Sequence, residues 1–266
     1  STACFQAPSV AARLKALGSS VSGLLSEEEA SVLDSLPASL AGAKSSPVTA
    51  GSFPLMQKII RKGSGWPEKA EFLAMVLLSL MVLHKPEGQT METALSEVAT
   101  RAAAEEELSA QSLSIAICAA ANAFGTPAGG QYMMREDVVQ KWLDVSLRGL
   151  AHPRGEVRQM SSALLNNMSL ALASSLPDAT DGEEMSDEAT QILFGVLDDL
   201  QKEKSQMVAL RRLLAAGRLL RKLGVAGVTL VNEVGFRDQV EGFGNDAPEG
   251  EAKDAAGEVI RLLGDA

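Results

Sequence analysis

The sequence predicts an all-α fold, a solenoid of stacked helix pairs. Three observations support this: residue types that favour helix, dense helix start and stop signals, and a repeat with a period in the forties. Of the 266 residues, 46% are apolar and only 4% aromatic. Ala, Leu, Met, Glu and Lys outnumber Val, Ile, Phe and Tyr, and the former lose little rotamer freedom in a helix. In a solenoid each repeat contacts only its neighbours, so a chain of this length folds without one oversized core. The expectation is a single domain over residues 1–266.

Each element has its own punctuation. Residues 8–17 open at Pro8 and stop at Gly18. Ser26 and Glu29 form an S-x-x-E capping box, which starts a helix running to about residue 36. Residues 37–50, rich in Ser, Ala and Pro, read as a connector, and a helix over 53–62 ends at Gly63. Pro67 suits a first helical position and opens an apolar helix that stops before Pro86. Its run over residues 72–83 (FLAMVLLSLMVL) is too short to span a bilayer, which takes about 20 residues. It reads as a helix buried on nearly all sides. Further helices are expected over 90–106, 109–124, 135–150, 156–176, 187–202 and 205–223, then a short helix with loop over 231–247 and a closing helix over 252–263. Residues 225–231 are the one weak strand candidate, and the GGQ of residues 129–131 reads as turn glycine.

The repeat appears where long apolar helices carry a small or polar residue. Ser79, Asn122, Asn167 and Arg211 follow one another at 43, 45 and 44 residues. Such a period marks armadillo or HEAT-type arrays, whose inner helices present an extended surface suited to a peptide.

Charge and motifs narrow the function. The formal net charge is −10, which argues against binding nucleic-acid phosphates. Cys4 and Cys118 stand far apart and suggest no disulfide framework. With no secretory-leader pattern in the first residues, the expected setting is the cytosol or nucleus. His84 and His152 have no Cys or His at metal-ligand spacing, and the acidic stretch 178–188 lacks the alternating ligands of a calcium loop. No nucleophile elbow, Walker loop or dinucleotide fingerprint is present. The expectation is a binding module without metal or cofactor, not an enzyme.

Four segments together are similar to a known family: WPEKAEFLAMVLLSLMVLHKP, SIAICAAANAFGTPAGGQYMM, EVRQMSSALLNNMSLAL and MVALRRLLAAGRLL, in that order. They resemble the recurring helices of the PUL domain, which closes the phospholipase-activating protein of the ubiquitin pathway. The best-matching pieces are the Asn-x-Phe at Asn122 with its downstream glycines and Met-Met pair, the Leu-Asn of the third segment, and the Arg-x-Leu-x-Ala-x-Gly-x-Leu that begins at Arg211. LSEEEASVLDSL looks like the family's early acidic helix, and the likeness covers nearly the whole chain. The resemblance implies an armadillo-like solenoid of about six units. It also implies docking of the acidic C-terminal tail of the valosin-containing AAA ATPase in a basic groove, with Arg211, Asn122 and Asn167 matching family positions. The chain departs from the pattern at Ser79 and Cys118, where the family usually has arginine, and at Val76, where it tends to carry aspartate.

The candidate peptide-binding residues also follow from the sequence. Positions 211, 215, 218 and 222 share one helix face, so Arg211, Arg218 and Lys222 form a cationic stripe within an acidic chain. A guanidinium can hold a carboxylate through two parallel hydrogen bonds. The alternative is a solvated face complementing the helix dipole. Asn122 and Asn167 lie in apolar helices, where an unsatisfied amide costs roughly 1–3 kcal/mol. Each either bonds a bound peptide's backbone or cross-links a neighbouring helix. Lys141, Arg148, Arg154 and Arg158 either extend the patch or, more simply, are ordinary surface charges. A second reading, an armadillo carrier of basic peptides, draws on the net charge of −10. Against it, Trp66 and Trp142 lack the asparagine four residues on that such carriers use.

Overall fold

Each expected helix is present in a computed structural model that describes residues 7–21, 23–41, 47–84, 90–104, 108–175 and 186–264. Among these residues there is no extended strand. The chain divides into two compact units, residues 1–142 and 143–266.

The first unit begins with α1 (Ala7–Ser20) and α2 (Glu27–Ala41). The capping box forms as expected: Glu29 N donates to Ser26 Oγ at 3.2 Å and Ser26 N donates to Glu29 Oε2 at 2.9 Å. α2 differs from expectation by running through Pro37 to Ala41. Proline removes one backbone donor there, yet Leu33 and Leu36 are buried and hold the helix in place. Then come α3 (Ser52–Ile60), α4 (Glu68–Met81), α5 (Thr90–Ala103) and α6 (Ala110–Ala123). α4 packs against α1, α3 and α6 and is buried continuously from Leu73 to Ser79, as its unbroken apolar sequence requires. Each such Leu or Val contributes about 1.5–3 kcal/mol by leaving water.

One helix was not anticipated. α7 (Pro127–Met133) occupies the segment expected to be a turn. Thr126 Oγ1 accepts from Gly129 N, and Pro127 sits in the first turn. Gly129 is there for contact: a Cβ would stand 2.1 Å from the Ala123 carbonyl oxygen at the end of α6.

α8 (Glu136–Leu150) carries the division between the units, and the second unit continues with α9 (Gly155–Ser175), α10 (Asp187–Leu197), a 3-10 turn at Leu200–Lys202, α11 (Gln206–Val234), α12 (Phe236–Asp246) and α13 (Glu251–Gly264). α11 is its centre, packing against α9, α10, α12 and α13. The residues considered as a strand belong to α11, beyond a kink at Gly224 (φ 57°, ψ −141°). A β-branched side chain is excluded from that conformation, so the helix expected to end at residue 223 bends there and resumes. Residues 178–185 of the acidic stretch lie outside the described residues.

The period in the forties has a physical counterpart within each unit. Asn122 Nδ2 on α6 donates to the Ser79 carbonyl on α4 at 2.8 Å, a separation of 43 residues. Arg135 pairs with Glu92, also 43 residues apart, and Arg158 with Glu203, 45 apart. Matching positions of consecutive repeats are neighbours in space.

Candidate functional site

Ser205 starts α11 by accepting a hydrogen bond from Val208 N. One turn later two arginines diverge. Arg212 is 3% exposed; its Nε donates to the Val196 carbonyl at 2.9 Å and its Nη2 to the Asp198 carbonyl. It thereby answers carbonyls at the end of α10 that the helix leaves unbonded. Burial pushes its pKa down to about 10, against the opposing pull of Glu203, Asp198 and Asp199. Arg212 belongs to the fold.

Arg211 faces α9. Its Nη1 donates to the Gln159 carbonyl at 2.9 Å. Two turns on, Arg218 Nη1 donates to Asn166 Oδ1 at 2.7 Å, with Ser169 Oγ at 3.3 Å and the Asn166 carbonyl at 3.4 Å. Arg211 to Gln159 and Arg218 to Asn166 are both 52 residues apart, so α9 and α11 run parallel here, joined by two arginine bridges seven residues apart. Both guanidiniums are half-buried, and burial lowers both pKa values. Among the described residues neither has a carboxylate at ion-pair distance; their partners are carbonyl, amide and hydroxyl oxygens.

Several other arginines are matched by carboxylates. Arg158, considered as a surface charge, forks onto Glu203 at 3.0 and 3.4 Å and also donates to the carbonyls of His152 and Pro153. Arg101 reaches Glu71 at 2.8 Å with both side chains largely buried. Arg135 bonds Glu92 and Asp137. Arg211 and Arg218 differ from these in having no carboxylate partner among the described residues, in a chain of net charge −10.

The other sequence-derived candidates fall as follows. Lys222, one turn beyond Arg218, is half-buried on the same face and has an internal partner. Asn167 is half-buried and likewise partnered. Helix geometry turns it about 80° from the direction shared by Gln159 and Asn166. Asn122 cross-links α6 to α4 through Ser79, the second of the two roles considered for it. Asn166 and Gln159 were missed by sequence reasoning. The signal for Asn166 was the Asn-Asn pair itself; the mid-forties repeat points to Asn167, whereas the arginine bridges run at 52 residues and take Asn166.

The departures from the family pattern also have a structural expression. Ser79 is buried and its Oγ donates to the Val76 carbonyl at 2.7 Å, while Val76 is buried beside it. Losing the expected arginine and aspartate together leaves no uncompensated charge in α4. Cys118 is a half-buried free thiol, with its pKa pushed up by burial. Cationic character is therefore absent from those positions and concentrated on α11.

Among the described residues there is no metal-binding cluster of His, Cys, Asp and Glu, and no helix long and apolar enough to cross a membrane. No curated protein matches the sequence. The structure is similar to a designed armadillo repeat protein at TM-score 0.61 and 14% identity, covering 96% of this chain and 99% of that one. It is also similar to a computationally designed armadillo repeat protein for modular peptide recognition, at TM-score 0.61 and 15% identity over 96% and 98% of the two chains. At such identities the likeness concerns the fold, which is an armadillo-like helical solenoid. The family model of the PUL domain matches residues 2–260, from the start of the chain into α13, and the chain belongs to the PUL domain family.

Proposed function

We propose that this domain is a protein-interaction adaptor that binds a partner without transforming it. Its ligand is the acidic C-terminal tail of the valosin-containing AAA ATPase, in ubiquitin-dependent degradation in the cytoplasm or nucleus. The reading rests on one observation: Arg211 and Arg218 lie half-buried on one face with no carboxylate partner among the described residues. Each has Nε and Nη2 unbonded by described residues, the nitrogens a carboxylate needs for a two-point contact. Internal bonds fix the side chains beforehand, so less rotamer freedom is lost when the ligand arrives. Lys222 adds long-range attraction, while Asn122 ties α6 to α4 within the first unit and Asn167 lies on α9 as a further candidate contact. The family match runs through both compact units, which supports treating the chain as one domain.

The basic-peptide alternative rests on total charge alone, and total charge governs approach more than local contact. A titration separates the two. The tail peptide should bind wild-type protein, with affinity falling as salt shortens the Debye length from about 10 Å at 0.1 M to about 3 Å at 1 M. Arg211→Glu should weaken binding by at least about tenfold, since it replaces attraction with repulsion. Unchanged affinity in Arg211→Glu removes the site, and preference for a lysine-rich peptide removes the reading.

A further inference from the structure

The face that carries the two arginines is also apolar. Among the described residues six large hydrophobic side chains are exposed, five of them on α9 and α11, and three of these, Leu170 (52%), Met207 (48%) and Leu214 (41%), lie before the kink at Gly224 alongside the arginines. They coincide with the cations. At about 100° per residue, Met207, Arg211, Leu214 and Arg218 fall within an arc of about 60° on α11. Leu170 points within about 20° of Gln159, the residue that Arg211 bonds, and lies one turn beyond Asn166, the residue that Arg218 bonds. The surface therefore alternates apolar and cationic groups along α11. Leu214 stands about 4.5 Å beyond Arg211 along the helix axis and Arg218 about 10.5 Å beyond it, from a rise of 1.5 Å per residue.

We infer that this face selects an extended acidic segment in which an apolar side chain lies between two carboxylates three residues apart, the apolar group seated on Leu214 and Leu170. The inference rests on the acidic-ligand reading of the same face and adds a specificity rule to it. Three residues of polyproline-II-type extended chain cover about 9 Å and return the side chain to the same face, close to the separation of Arg211 and Arg218. A helical ligand would need its carboxylates seven residues apart to cover the same distance. The unbonded guanidinium nitrogens favour the extended form, because its main-chain carbonyls are free to accept, whereas those of a helix are already bonded. Water excluded from the Leu214–Leu170 surface adds a component that salt does not screen.

The test compares short labelled peptides by fluorescence anisotropy. They share a Ser/Gly background and carry Asp-Ser-Leu-Asp, Asp-Ser-Ser-Asp, or two Asp seven residues apart with Leu midway. The first should bind about fivefold more tightly than the second, the scale set by burying part of one leucine. The third should bind no better than the second. Leu214→Ser, at an exposed position where no cavity forms, should bring the first peptide down to the affinity of the second. The peptide arms need no protein variant, so misfolding cannot imitate the result. If the first two peptides bind alike while Arg211→Glu abolishes both, the apolar seat is rejected and acidic docking stands. Tightest binding by the third peptide rejects the extended register. If none of the three binds, the acidic-ligand reading and the rule built on it both fall.

Discussion

Adjacent on α11, Arg211 and Arg212 have the same side chain and different surroundings. Arg212 is enclosed and bonded to the carbonyls of Val196 and Asp198; Arg211 is half-buried and bonded to one carbonyl on α9. Removing Arg212 leaves buried acceptors unsatisfied and opens a cavity. Arg212→Ala should lower the urea-unfolding free energy by roughly 2–4 kcal/mol, and Arg211→Ala by less than about 1 kcal/mol. Equal losses would mean that Arg211 belongs to the core as well. At this scale the sequence was informative about faces and silent about partners. Helical spacing placed Arg211, Arg218 and Lys222 on one stripe, but Gln159 and Asn166 are 52 residues away, and nothing local in the chain encodes a contact across that distance. The same limit hides from the sequence that Arg218 meets Asn166, the neighbour of Asn167.

Elements were legible where a cap marks their start, and less so where a glycine suggests a stop: α1 runs past Gly18 to Ser20 and α11 resumes beyond Gly224. The box at Ser26 and Glu29 was evident from four residues, although its tie to α3 was not: Lys58 Nζ donates to Glu29 Oε1 at 2.8 Å. Burial by itself would raise the Glu29 carboxyl, but Lys58 and Ser26 together hold it below its ordinary value of 4.5. A carboxyl whose folded pKa lies below its unfolded one adds stability above the unfolded value and loses it as pH falls through the folded value. The gap in urea midpoint between wild type and Glu29→Gln should therefore be open at about pH 7 and close by about pH 3. A gap independent of pH would assign the loss to packing. The missed elements have local causes. Pro37 reads as a stop, yet burial of Leu33 and Leu36 carries α2 past it. The glycines of α7 read as a turn, because the need for Gly129 arises from Ala123 on another helix. The run of β-branched residues after Gly224 suggested a strand until packing within the second unit made it the continuation of α11.

For the whole molecule, the repeat was the strongest signal in the sequence and it survives as physical contact. Ser79 and Asn122, Glu92 and Arg135, and Arg158 and Glu203 each touch at a separation of one period. Total charge was the least reliable guide. A net charge of −10 suggests a basic ligand, whereas Arg211 and Arg218 on α11, without carboxylate partners among the described residues, suggest an acidic one. A sum over the chain cannot report which charges the fold has already neutralised. The central claim is a location, so the direct measurement is NMR chemical-shift mapping of the domain during titration with the acidic tail peptide. Shifts should concentrate in residues 156–172 of α9 and 207–222 of α11, around Gln159, Asn166, Arg211 and Arg218. Shifts gathered instead around Lys58, Arg61 and Lys62, which line a depression at the end of α3, or no shifts at saturating peptide, would contradict it.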